Sequence, residues 1–502
     1  MSHKKKLLTP EELAERIENR GRYKPKERGQ LDKVHWEEQD PAERVHNIRE
    51  VPRPYTAQQA QAEAVRCLQC KSGPCVRECP VQVDVPGFLK LVAEGDFRGA
   101  VRKMKETNLL PAITGRVCPQ ETQCQKDCTV AKLHKDLGFA VSVGKIEAFL
   151  ADWEREQAGV ELPAVGAPTG YRVAIIGSGP AGLTCAGDLR RFGHEVTVFE
   201  AFHRAGGVLL YGIPEFRLPK AIVQAEVEGL EKLGVKFEFD TVVGQTLTID
   251  DLFDEGYDAV FVGTGAGLPY FLGVPGEDLN GVYSANEYLT RANLMGAFRF
   301  PEEQTPILRR DTVVVLGGGN VAMDSARTAR RLGASKVLLL YRRTRVEMPA
   351  RIEEVAHAEE EGVEIHLLTA PVEILGTAEG WVRGIRTQRC ELGEPDAKGR
   401  RRPVPIPGAF QDVPCEVVVV AIGNGPNPLI PRTTQGLETS KHGTLVVDEK
   451  TMRTTRQGVF AGGDIVAGAS TVIMAMGHGR VAAAAIDRYL RGELTEPAPA
   501  AS

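Results

Sequence analysis

The sequence predicts an α/β protein in which a cysteine-rich helical domain precedes two Rossmann-like units. Three observations carry that prediction. Seven of the ten cysteines fall between residues 67 and 128, in Ala-, Glu- and Lys-rich text. RVAIIG at 172–177 and TVVVLG at 312–317 open two near-copies of one unit: strand, Gly-rich turn, helix, second strand. The 502 residues suffice for about three domains at ~150 residues each.

Composition narrows the function class. Charged residues make up 26% and hydrophobic ones 42%, the balance of a folded globular chain. The formal charge of -5, from 62 basic and 67 acidic residues, supplies no overall field for nucleic acid and no cationic face for a membrane. The opening MSHKKKLLTPEELAERIENR turns polar at once, so no signal peptide is read and a cytoplasmic location is expected. The longest apolar runs, VVVVAIG at 417–423 and VAAAAI at 481–486, fall far short of the ~20 residues of a spanning helix.

Along the chain, residues 1–50 are rich in Lys, Arg, Glu and Gln and read as a solvated, partly ordered arm with a short helix at 10–20. From Tyr55 to about Trp153 the text is helical, broken by Cys-Pro pairs at 79–80 and 118–119. The segment AGVELPAVGAPTG at 158–170 reads as a linker, after which apolar strands alternate with Gly-rich turns and helices. TEPAPAAS at 495–502 reads as a disordered end.

The cysteines form two runs, CLQCKSGPCVRECP and CPQETQCQKDC. Soft thiolates on short loops, with Cys-Pro closing a run, are the habit of iron–sulfur ligation, in which the fourth cysteine often serves the other cluster. Cys67, Cys70, Cys75 and Cys128 are therefore assigned to one 4Fe-4S cluster, and Cys79, Cys118 and Cys124 to a second. Structural zinc is the rival, but zinc favours paired C-x2-C knuckles and only one such pair is present. Cys185, Cys390 and Cys415 stand alone in apolar text and read as inert packing. Seven thiolates cannot fill eight positions, and Glu147 in SVGKIEAFLAD is a candidate eighth; a lone Glu on an amphipathic helix is more often a solvated face.

In the first α/β unit, Gly177, Gly179 and Gly182 of GSGPAG open a helix after a strand, and the second strand ends in Glu200. Glycines admit a pyrophosphate to the helix N-terminus, and a carboxylate so placed bonds ribose hydroxyls. In the second unit Gly317, Gly318 and Gly319 precede Asn320, and the following strand runs into Arg342 and Arg343 where an NAD site carries an acid. Two guanidinium groups suit a 2'-phosphate, so NADPH is expected over NADH. Near the C-terminus Gly463 and Asp464 sit between a short strand and an Ala-rich helix, where an Asp can bond a flavin's ribityl chain.

These residues resemble a known family. The cysteine runs, GSGPAG, GVLLYGIPEFRLPK at 207–220, GGGNVAMD with YRR, EMPA at 347–350 and the closing AGGD are similar to the NADPH-dependent glutamate synthase small (beta) subunit. The same module occurs in the large subunit of NADH-dependent ferredoxin:NADP oxidoreductase and the N-terminal half of dihydropyrimidine dehydrogenase. The resemblance, over about residues 50–490, implies an iron–sulfur domain at 51–165 behind an arm at 1–50. It implies an FAD domain split between 166–285 and 425–502, with an NADPH domain inserted at 286–424. It implies that Glu147 completes the second cluster, that Glu200 and Asp464 touch FAD, and that Arg342 and Arg343 hold the NADPH phosphate. Pro180, Ala181, Gly207, Val321 and Thr471 join Gly177, Gly179, Gly182, Gly317, Gly319, Asn320 and Gly463 as expected cofactor contacts.

The activity implied is hydride exchange with NADP(H) at FAD and relay of electrons through two 4Fe-4S clusters to a partner protein. No catalytic acid or base is expected, because hydride passes directly between the two cofactors. With Ser2 at the start, no nearby cysteine and no segment for an FMN-bearing barrel, the chain is expected to need a glutamate synthase large subunit or another acceptor. The alternative is the large subunit of an electron-bifurcating transhydrogenase, with ferredoxin and a small flavoprotein subunit as partners.

Overall fold

The computed structural model describes residues 7–395 and 399–494; the tail at 495–502, expected to be disordered, lies outside the described residues. The N-terminal domain is built from the helices Ala57–Ala64, Val85–Glu94, Phe97–Lys105, Pro111–Val117 and Val143–Trp153. Their starts are written in the sequence. Thr56 and Gln59 form a capping box, Asp84 and Asp96 accept N–H bonds from Gly87 and Gly99, and Pro111 occupies a first turn where its missing N–H costs nothing. Phe97–Lys105 buries Ala100, Val101 and Met104 and leaves its basic side outward. Val143–Trp153 is buried on nearly every side, Glu147 included, so Glu147 lies on no solvated face.

The arm departs from the sequence expectation. Its helix Pro10–Glu18 is present, but residues 7–50 pack against the body of the molecule instead of standing in solvent. Leu13 and Val34 are in the core, Arg16 donates to the Asp32 carbonyl at 2.8 Å, and Val34 donates its N–H to Glu63 at 2.8 Å. Arg44, fully buried, reaches Glu360 and Glu361 at 2.8 Å each. A composition rich in charge reads as solvated, whereas here the charges are partnered over distances in sequence that composition does not reveal.

The first α/β unit is a five-stranded parallel sheet in the order Val459–Ala461, Ala259–Val262, Arg172–Ile176, Glu195–Phe199, Lys236–Glu238. The second is a five-stranded parallel sheet in the order Val282–Ser284, Val417–Val420, Thr312–Leu316, Lys336–Tyr341, Val363–Leu367. Central strands such as Ala259–Val262 and Val417–Val420 are buried throughout, as parallel strands covered on both faces must be. The chain completes the second sheet before Val459–Ala461 returns to the first, so the second unit is inserted into the first. The division expected at 285/286 is too late, because Val282–Ser284 is hydrogen-bonded to Val417–Val420 of the second sheet. A three-residue strand carries too little periodicity to be assigned from sequence. Where the chain enters and leaves the insertion, Leu268–Pro269 pairs antiparallel with Asn424–Gly425. A three-stranded antiparallel sheet of Thr369–Gly376, Val382–Pro395 and Arg401–Pro414 extends the inserted unit.

Candidate functional site

The loop after Arg172–Ile176 is shaped by close approach. Gly177 has φ +98°, and a Cβ on Gly182 would lie 2.0 Å from the Gly177 carbonyl, so the turn and the helix Pro180–Arg191 can meet only as glycines. The helix N-terminus thereby opens into a cavity of about 1330 Å³, larger than the ~300–1,000 Å³ of an ordinary ligand site and suited to extended dinucleotides. Gly177, Gly179, Pro180, Ala181, Glu200, Gly207, Gly463, Asp464 and Thr471 line it from one side. Gly319, Asn320 and Val321, at the start of the inserted unit's helix Asn320–Arg331, line it from the other. Gly182 and Gly317 sit behind the wall and allow the turns to close; a Cβ on Gly317 would lie 2.3 Å from the Ala421 carbonyl. The residues present fit an FAD: an open helix N-terminus, nothing within 4 Å of a Cβ at Gly179, and a carboxylate at the ribose end.

Glu200 is held by the Ser178 N–H at 3.0 Å, the Ser178 hydroxyl and the Phe202 N–H at 2.9 Å. Asp464 accepts from the N–H and hydroxyl of Ser470, and burial raises its carboxyl above the ordinary range against those bonds. Thr471 caps the helix Val472–Leu490 and also accepts from Gln123 Nε2 at 3.0 Å. At the inserted unit, Asn320 accepts the Arg351 N–H at 2.9 Å. Arg342 is exposed, whereas Arg343 is buried and donates Nε to the Arg401 carbonyl at 2.9 Å. Arg342 is thus the one of the pair that faces solvent.

Sequence reasoning missed Arg217 and Asp324, which also line the cavity. Arg217 lies in the first unit and bonds both oxygens of Asp324 in the second, at 2.7 and 2.9 Å. The segment 207–220 that carries Arg217 is tied down by Lys220, whose ammonium donates to the carbonyls of Leu209 (3.0 Å), Leu218 (3.1 Å) and Ile213. Burial pulls this ammonium down to about 7, with Glu215 opposing. A lysine whose folded value lies below its unfolded value, about 10.4, weighs against folding most below pH 7, and that burden is relieved as pH rises toward 10. Lys220→Met is expected to flatten the rise in stability between pH 7 and 10, read from urea unfolding midpoints at each pH.

The seven cysteines between 67 and 128, assigned to two groups from their spacing, lie close enough for their thiols to act on one another, and Cys124 feels Cys79 as well as Cys75 and Cys128. Cys67 is pushed up to about 12 and Cys75 to about 11, chiefly by burial; Cys70 and Cys128 raise both further, and Cys75 also raises Cys67. Cys79, Cys118 and Cys124 are raised by burial and by the Glu147 carboxylate among them. Glu147 itself is raised to about 7 by burial, against hydrogen bonds from Asn108, at 2.6 Å, and Thr114. Tetrahedral zinc at ~2.3 Å from each sulfur would bring thiolates to within ~4 Å of one another. Among the described residues the one trio of His, Cys, Asp or Glu ligand atoms that close, within 4.8 Å, is Glu38, Glu353 and His357. Among the described residues no three cysteine sulfurs lie within 4.8 Å of one another. Cys185, Cys390 and Cys415 are buried and apart from both groups.

The second group abuts the cavity. Val117 and Pro119, flanking Cys118, belong to the cavity wall. The helix Val472–Leu490 brings Met474 and Ala475 to that wall and seats Gly477 on the Pro80 carbonyl, next to Cys79. No residue beside Cys67, Cys70, Cys75 or Cys128 belongs to that wall, so the first group is the one farther from the cavity; Cys70, Cys75 and Cys128 are partly exposed, as are Cys79 and Cys124. Among the described residues no helix is long and apolar enough to cross a membrane.

Two families match. Residues 171–479 match the family described as pyridine nucleotide-disulphide oxidoreductase, and residues 44–159 match dihydropyrimidine dehydrogenase domain II, 4Fe-4S cluster. The chain is 40% identical over 458 residues to the glutamate synthase (NADPH) small chain of Halomonas elongata, covering 89% of this chain and 94% of that one. It is 40% identical over 475 residues to the putative oxidoreductase AegA of Escherichia coli, covering 92% and 70% respectively. In fold it is similar to Mycobacterium tuberculosis FprA in complex with NADPH, with a TM-score of 0.52 at 22% identity over 66% of this chain and 87% of that one.

Proposed function

The chain belongs to the family of glutamate synthase NADPH small chains, which makes it an NADP-dependent flavin and iron–sulfur oxidoreductase, and on that premise we propose how its residues divide the work. The observation that carries the proposal is the position of the second thiolate group against the wall of the dinucleotide cavity. Bound FAD supplies the conversion between two-electron and one-electron transfer, and bound 4Fe-4S clusters supply single-electron relay. Glu200, Asp464 and the glycine turn at 177–182 hold and orient the flavin. Gly319, Asn320 and Val321 hold the nicotinamide dinucleotide, with Gly317 closing the turn behind them and Arg342 on its 2'-phosphate. Cys79, Cys118, Cys124 and Glu147 ligate one cluster beside the cavity, and Cys67, Cys70, Cys75 and Cys128 ligate the other toward the surface. No residue need move a proton at the reacting atoms; the walls align donor and acceptor and keep water out.

The partner is a protein subunit that exchanges electrons at the outer group, as a small chain implies a larger one, and the setting is the reducing cytoplasm, where free thiols persist. Anaerobic purification is expected to yield one flavin and about eight irons per chain, as two 4Fe-4S clusters need, and NADPH is expected to bleach both chromophores. Flavin without iron, or zinc in its place, would make the cysteine domain structural and overturn the relay.

Arg342→Ala is expected to raise the KM for NADPH at least about tenfold while leaving that for NADH nearly unchanged, since a hydrogen bond to a charged group contributes about 1.5–3 kcal/mol. Equal effects on both coenzymes would remove Arg342 from the phosphate site. Steady-state kinetics with each coenzyme and a small quinone acceptor make the comparison.

A further inference from the structure

The outer thiolate group lies under a surface whose charge runs against that of the chain. The protein as a whole is acidic, at -5, yet residues 20–28, RGRYKPKER, hold five basic residues and one acid. That acid, Glu27, is turned back onto the Lys24 N–H at 2.7 Å. Arg20 and Arg28 donate to backbone carbonyls, while Arg22, Lys24 and Lys26 are exposed.

The segment sits beside the thiols. Its short helix Pro25–Arg28 ends at Gly29, where a Cβ would lie 3.0 Å from Leu133 and 3.6 Å from Leu68. Leu68 follows Cys67, and Leu133 lies on the helix Thr129–His134 that starts directly after Cys128. Cys70 Sγ is 3.2 Å from Thr129 Oγ1, and His134 Nε2 pairs with the Gly29 carbonyl at 2.7 Å. Around the same thiols Lys71, Arg77 and Lys135 are exposed, whereas Lys126 and Lys132 are paired with Glu78 and Asp127. Leu133 and Leu137, 54% and 43% exposed, form an apolar centre inside this mainly basic rim, whose exposed acid Asp136 accepts the Gly138 N–H at 2.7 Å.

We propose that this face, formed by the 20–28 segment, Lys71 and the Leu133–Leu137 turn, is the docking surface for a redox protein that presents an acidic face. The proposal rests on the reading that electrons pass through the outer thiolate group. Opposite charge steers encounter and raises the association rate at low salt, and a small apolar centre in a charged rim suits the brief contact of electron-transfer partners.

The test uses the purified holoenzyme with NADPH and a purified acidic ferredoxin as the probe. The expected kcat/KM for ferredoxin falls about tenfold between ~20 and ~300 mM salt, where screening shortens to a few ångströms. Lys24→Glu/Lys26→Glu, remote in sequence from every thiolate, is expected to lower the low-salt value about tenfold and to lose the salt dependence. NADPH oxidation by a small quinone, and iron content, are expected to stay at wild-type levels. Adding Lys71→Glu deepens the loss.

Ferredoxin reduction that ignores both salt and charge reversal overturns the docking surface. So does equal or faster reduction of basic cytochrome c, and so does charge reversal that abolishes binding to anionic vesicles while leaving ferredoxin kinetics intact. Failure of NADPH to reduce the clusters of the wild-type protein would instead defeat the relay reading, so the two failures are distinguishable.

Discussion

Glu147→Ala is expected to leave the flavin bound and to remove about half the iron and acid-labile sulfide, from about eight of each per chain to about four. Glu147 lies within electrostatic reach of Cys79, Cys118 and Cys124 and accepts from Asn108 Nδ2 at 2.6 Å, a donor that orients its carboxylate. The flavin turn at 177–182 belongs to a different domain, so its occupancy is the internal control for folding. Glu147→Cys, which restores an anionic ligand, is expected to recover iron with an altered paramagnetic resonance signal. Unchanged iron and an unchanged resonance spectrum in Glu147→Ala would end the ligand assignment.

The parts of this site legible in the sequence are those made by local geometry. A turn that requires Gly177 and Gly182, or a run of thiolates three to six residues apart, leaves its mark within a dozen positions, and both glycine turns are where the spacing predicts. The expectation that Cys79 sides with Cys118 and Cys124, against its nearest neighbours in sequence, rests on the habit by which the fourth cysteine of such a run serves the other cluster. What was not legible is made by pairs far apart in the chain. Arg44 meets Glu361 across 317 residues, so the arm reads as solvent-exposed text. Arg343 resembles Arg342 in every local respect, and only the strand Arg401–Pro414, laid beside it by the fold, takes its guanidinium inward.

Arg217→Leu is expected to destabilise the protein by about 3–5 kcal/mol, the usual consequence of stranding a buried charge. Arg217 and Asp324 are 8% and 3% exposed, and Arg217 donates to both Asp324 oxygens. Its Nε also reaches Glu354 at 3.1 Å, but Glu354 keeps Arg327, so Asp324 is the group left without its bonds. Arg217→Leu/Asp324→Leu removes the stranded charge and is expected to recover most of the loss, giving a large coupling in a double-mutant cycle. Because Arg217 belongs to the first α/β unit and Asp324 to the insertion, the single variant is expected to loosen the seating of one on the other. Protection of backbone amides in the helix Asn320–Arg331 reports this by hydrogen exchange, with faster exchange in Arg217→Leu and near-normal exchange in the double variant. If instead both variants lose stability equally and exchange alike, the pair acts only by packing and not as a charge-specific link between the two units.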